Sequence, residues 1–231
     1  MIIQHNIAAI NSYRNLGVNQ SGLNKNLEKL SSGYRINRAG DDAAGLAISE
    51  KMRSQINGLN QATKNAQDAI GLIQTVEGAL TETHSMLQRL TTLASQSANG
   101  TYNTVARGNL DQEVQDLLKE IDRIADNTDF NGIKPIAASG TGNMTFQIGP
   151  SSGETLLLNA SNMTSTSIGV KSIDVTDRAG ANSAIDTIKA AIDKVSSYRA
   201  TLGAAQNRLE HTVNNLKVSS ENITAAESRI R

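Results

Sequence analysis

At 231 residues the chain fits one or two domains and is long enough to bury a core. Lys plus Arg and Asp plus Glu each number 22, so the formal net charge is zero and no overall field draws the chain to nucleic acid or an anionic membrane. Aromatics at 3%, with no Trp, leave little to stack on bases or sugars, and the absence of cysteine excludes disulfides, thiolate metal sites and cysteine nucleophiles.

The opening residues, MIIQHNIAAINSYRNL, have no basic leader before an apolar run and no small-residue cleavage site, so they do not read as a secretory signal. No stretch approaches the roughly 18 apolar residues that span a bilayer. Composition then fits a soluble cytoplasmic protein, or one exported without a cleaved signal. The first forty residues are amphipathic. Ile3, Ile7 and Ile10 share one face, and Leu23, Leu27, Leu30 and Tyr34 share another stretch. The segment from Gly33 to Gly45 breaks this region, and Asp41 or Asp42 is expected to cap the helix that follows.

That helix is expected over 42–99. Met52, Leu59, Ala66, Ile73, Leu80, Leu87 and Ala94 recur every seven residues, and Asn99-Gly100 is a suitable stop. A shorter helix, 104–127, carries Leu110, Val114, Leu117, Ile121 and Ile124 at alternating spacings of four and three. The short connection makes these two helices antiparallel neighbours. Composition shifts to Gly, Ser, Thr and Asn over 130–178, read as a small β-hairpin region. Met144, Phe146 and Ile148 alternate with polar residues, and Leu156 to Leu158, Ile168 with Val170, and Ile173 with Val175 read as further short strands.

The last helix is expected over 181–230. Ile188, Val195, Leu202, Leu209, Leu216, Ile223 and Ile230 form one heptad position, and a helical rod over 184–230 spans roughly 70 Å. Arg199, Gln206, Ser220 and Glu227 interrupt the other seam position, which would weaken a plain dimer; they either set register or face other surfaces. The fold class is mainly α: an elongated antiparallel helical bundle or coiled-coil rod with a small β-hairpin region in mid-chain. His5, His84 and His211 are far apart, Glu210-His211 does not extend to H-E-x-x-H, and the glycines of ASGTGNM lack a phosphate-loop Lys. No catalytic residue, metal site or cofactor is expected, and the chain does not read as an enzyme.

NIAAINSYRNL, LEKLSSGYRINRAGDDAAGLAISEKMRSQINGLNQA, LIQTVEGALTETHSMLQRL, DFNG, LGAAQNRLEHTVNNL and NITAAESRIR resemble, in order, bacterial flagellin. The resemblance covers 1–133 and 198–231 closely. It implies a structural subunit of the flagellar filament, an extracellular polymer serving motility, exported through the flagellum's own secretion apparatus. Residues 1–41 match the innermost filament layer and its spoke, with Ile3, Ile7, Ile10, Leu23, Leu27 and Leu30 packing in the filament core; 42–231 match the rod domain. Flagellins continue past the AAESRIR motif into a final helix that pairs with the N-terminal one. A chain ending at Arg231 is therefore expected to be a truncated, assembly-incompetent form, and long polymers from the purified chain alone would refute that. A hook–filament junction protein is the alternative relative. The resemblance also implies that a host Toll-like receptor grips Gln88, Arg89 and Leu93 on the first long helix and Glu113 on the next, although Thr91 and Thr92 depart from the charged pair often found there.

Overall fold

The computed structural model describes residues 6–137 and 142–231, so Ile3 lies outside the described residues. In chain order the described elements are α1 (Ile7–Ser32), α2 (Ala43–Ala98), α3 (Thr104–Asn127), β1 (Met144–Gln147), β2 (Thr155–Leu158), α4 (Ser165–Ile168) and α5 (Arg178–Ile230). The chain is mainly α. It divides into two compact units, 61–216 and the pair 1–60 with 217–231.

In the 61–216 unit, α2, α3 and α5 share one core. Leu80, Leu87, Leu90 and Leu93 of α2 meet Val114 and Ile121 of α3 and Ile188, Leu202 and Leu209 of α5, all at most 1% exposed. The α2–α3 pair is antiparallel. Arg107, early in α3, reaches Ser97 O near the end of α2, while Glu113 meets Arg89. The buried stripe of α3 is Val114, Leu118, Ile121 and Ala125. Val114 and Ile121 belong to the expected line, Leu110 and Leu117 of that line pack partly buried against the core, and Leu118 and Ala125 widen the buried face.

The β region is smaller than its alternation indicated. β1 and β2 pair antiparallel, Met144 opposite Leu158 and Phe146 opposite Leu156. Leu156 and Leu158 are buried with Met144 and Phe146 against the core, and Leu157 points outward. The strands expected at Ile168–Val170 and Ile173–Val175 do not form. Ser165–Ile168 is one helical turn closed by Gly169 at φ 95°, and the rest is irregular. These apolar side chains are buried as expected, but α3 side chains take the backbone groups that a strand partner would have claimed. Asp122 accepts from Ser165 N and Oγ at 2.7 and 2.8 Å, Gln115 donates to Ile173 O, and Asp111 accepts from Val175 N. At spacings of four and seven, the three lie on one side of α3.

In the other unit, Asp42 caps α2, its Oδ1 accepting from Gly45 N at 2.9 Å. Asp41 serves the turn before it, accepting from the amides of Asn37 and Arg38. A Cβ at Gly45 would lie 2.8 Å from Ile36 Cδ1 and 2.6 Å from Asp42 Oδ2, so the ends of both side chains would have to shift to admit one. Three of the four polar positions in the α5 seam bond across to α2. Glu227 accepts from Ser49 Oγ at 3.0 Å and Ser220 donates to Asn60 at 3.1 Å; within 61–216, Arg199 grips Glu77 at 2.6 Å. Gln206 instead bonds Glu210 along its own helix.

Candidate interaction surfaces

α1 is well formed at its ends and unsupported along its length. Asn6 accepts from Ala9 N at 3.1 Å at the start, and Gly33 closes the end in the left-handed conformation, its N–H donating to Lys29 O. None of its residues is buried. Ile7, Ile10, Tyr13, Leu16, Val18, Leu23, Leu27 and Leu30 are 53–82% exposed. Leu16, Leu23, Leu27 and Leu30 follow seven–four–three spacing and share a stripe of the helix. An isolated helix gains little in water, so a stripe of this kind is stable only once something covers it. Each such side chain, on full burial, contributes roughly 1.5–3 kcal/mol.

The chain leaving α1 is held against the end of α5. Arg231 lays its guanidinium over the Tyr34 ring, 4.8 Å from the centroid, and bonds Glu50 at 3.1 Å. Its main-chain oxygen accepts from the amides of Arg35 and Ile36. Sequence reading missed this contact, since residues so far apart in the chain carry no shared periodicity.

The second surface lies on α2 and α3. Arg89 Nε and Nη2 approach Glu113 Oε1 at 2.8 and 2.7 Å, with side chains 51% and 43% exposed. Gln88 is exposed beside it, within 3.0 Å of His84 Nε2. Leu93 has no exposed surface; although it shares a helix face with Arg89, it packs inward and supports the backbone beneath. The Arg89–Glu113 bridge is solvated, so it adds at most about 1 kcal/mol to stability and serves mainly to hold a charged fork in place. Thr91 and Thr92 turn their hydroxyls onto Leu87 O and Gln88 O, so they offer the surface no charge.

Two profiles match along the chain, the bacterial flagellin N-terminal helical region over residues 3–141 and the bacterial flagellin C-terminal helical region over 185–231. The chain belongs to the bacterial flagellin family. The flagellin of Halalkalibacterium halodurans is 52% identical over 233 residues, covering all of this chain and 85% of that one. That of Bacillus subtilis is 47% identical over 264 residues, covering all of this chain and 87% of that one. The flagellar filament 33 kDa core protein of Treponema phagedenis is 46% identical, again over all of this chain and 86% of the relative. Bacillus cereus flagellin has a similar structure, with a TM-score of 0.61 at 36% identity over 71% of this chain and 94% of that one. A putative flagellar hook-associated protein from Vibrio parahaemolyticus shares the fold, at TM-score 0.69 and 14% identity over 82% and 99%. As a flagellin, the chain is a structural subunit of the flagellar filament, the extracellular polymer of such subunits that drives motility.

Proposed function

We propose that the exposed stripe of α1 is the polymerisation surface, with Ile7, Ile10, Leu23, Leu27 and Leu30 packing on other flagellin subunits in the filament core. Residues 1–41 form the core layer and its spoke, and 42–231 the rod domain. The observation that carries this is a capped, regular helix with no buried residue and eight large apolar side chains in the open. Leu23→Glu with Leu27→Glu would place carboxylates in that stripe. Mixed with short filament fragments, the unaltered chain should bind them and co-pellet, and the double variant should stay in the supernatant. Equal binding would place the contact elsewhere.

The α2–α3 surface supports a second role, as a ligand of the host Toll-like receptor that reads flagellin. Arg89, Gln88 and Glu113 offer the contacts, and Leu93 acts from below by fixing the Arg89 backbone. Arg89→Ala should weaken binding to the receptor ectodomain roughly tenfold, the loss of one moderate hot spot; an unchanged Kd would remove Arg89 from the contact. Export through the flagellar secretion apparatus belongs to the same proposal and rests on membership of the flagellin family. The hook–filament junction alternative has a fold likeness in its favour, while the filament reading is supported by filament proteins of 46–52% identity.

A further inference from the structure

The sequence contains three Asn-Gly dipeptides, Asn57-Gly58, Asn99-Gly100 and Asn131-Gly132, and the fold treats them differently. Such a pair is open to cyclisation because glycine has no side chain to shield its amide nitrogen from the preceding asparagine. Gly58 sits inside α2, where its N–H belongs to the helical ladder. Gly132 donates its N–H to Asp129 Oδ1 at 3.1 Å, in a tight turn closed by the reciprocal Phe130–Ile133 bonds. At the α2–α3 turn, both Asn99 and Gly100 are exposed, and Gly100 N–H has no protein acceptor among the described residues.

The surroundings of Asn99 activate both reacting groups. Thr101 N donates to Asn99 Oδ1 at 3.3 Å, which polarises the side-chain carbonyl and turns it back over the following peptide. Arg107 Nη2 donates to the main-chain oxygen of Asn99 at 3.1 Å. That oxygen shares its peptide group with Gly100 N, so the guanidinium stabilises the negative charge that spreads onto it when the amide gives up its proton. Arg107 is itself anchored by Nε to Ser97 O at 2.9 Å.

We propose that Asn99 is a site of spontaneous covalent modification, with Arg107 as the residue that promotes it; this is independent of the filament reading. Gly100 N attacks Asn99 Cγ and forms a cyclic imide. The Cγ–Nδ2 bond breaks, and the side-chain nitrogen leaves as ammonia, taking the proton from Gly100. Water then opens the imide at either carbonyl, giving aspartate or isoaspartate. The sum is amide plus water to carboxylate plus ammonium, with no oxidant or enzyme required. The product puts a carboxylate beside Arg107, and its isoaspartyl form adds a backbone methylene to the turn joining α2 and α3. It makes that turn a record of the subunit's age and a substrate for carboxyl methyltransferases that recognise isoaspartate.

The test incubates the full chain in mildly alkaline buffer, folded and in urea. The three Asn-Gly peptides are then followed by mass spectrometry and by labelling with an isoaspartate methyltransferase. In the folded chain Asn99 should convert roughly tenfold or more faster than Asn57 and Asn131, whose amides are released only by local opening; in urea the three should agree within about threefold. Comparable folded rates, or faster loss at Asn57 or Asn131, would overturn the proposal. Arg107→Gln should slow the folded rate at Asn99 at least about twofold and leave the urea rate unchanged, since the oxygen loses its charged donor. An unaltered or faster folded rate would remove Arg107 from the reaction.

Discussion

Asp122 shows how one side chain can set the course of a segment far away in sequence. Its two oxygens take both the amide and the hydroxyl of Ser165, which is 1% exposed. Asp122→Ala strands both donors where water has little access. The expected cost is about 1–3 kcal/mol in urea unfolding, with the denaturant slope unchanged. Two other aspartates give the fold an acid limit. Hydrogen bonds from the Asn37 and Arg38 amides hold the Asp41 carboxyl below its usual range, and the Thr176 hydroxyl and amide do the same for Asp174. A depressed folded value means the stabilisation is present above the unfolded pKa, about 3.9, and is lost as pH falls through the folded value. Replacing both by Asn should flatten the fall in stability below that point; an unchanged acid limb would exclude them. At the alkaline end, burial pushes the Tyr198 phenol up. Its contribution should be complete below about pH 10 and fade as pH rises beyond, so Tyr198→Phe should remove that part of the alkaline loss.

Among elements, the long helices depend on their seams and the shorter pieces on their ends. Leu87 has no exposed surface and lies in the core shared by α2, α3 and α5, so Leu87→Ala should cost about 2–5 kcal/mol in a denaturant series. Gly33 is needed for its backbone conformation, at φ 70° with open space around it. Gly33→Ala should therefore disfavour the α1 stop by about 1 kcal/mol without any clash, read as altered helicity near residue 33. The heptads of α2 and α5 were legible in the sequence because one seam repeated over so many turns outweighs any single residue. The segment after β2 was not legible. Ile168, Val170, Ile173 and Val175 alternate like a strand, but alternation reports which side chains face inward and says nothing of what satisfies the backbone between them.

For the molecule as a whole, stability and exposure are unevenly shared. The 61–216 unit has its helices around one apolar core, whereas α1 has no buried residue at all. Amide exchange on the isolated chain should find α1 nearly unprotected and Ile188–Leu209 of α5 among the slowest segments. Strong protection across Ile7–Ser32 would mean that α1 is already covered in the free chain.

The sequence alone determined the helices and the family, because periodic apolar seams and long shared motifs are local properties that survive in any packing. It also marked Arg199, Gln206, Ser220 and Glu227 as polar interruptions of the apolar seam that either set register by finding partners or face other surfaces. Tertiary structure alone decided who those partners are, Glu77, Asn60 and Ser49. It also decided that Leu93 faces the core while Arg89 and Glu113 meet at the surface, and that of three identical dipeptides only Asn99-Gly100 has an amide free of any acceptor among the described residues. These outcomes depend on how far one helix is turned and slid against the next, a quantity fixed by contacts between residues that lie far apart in the chain.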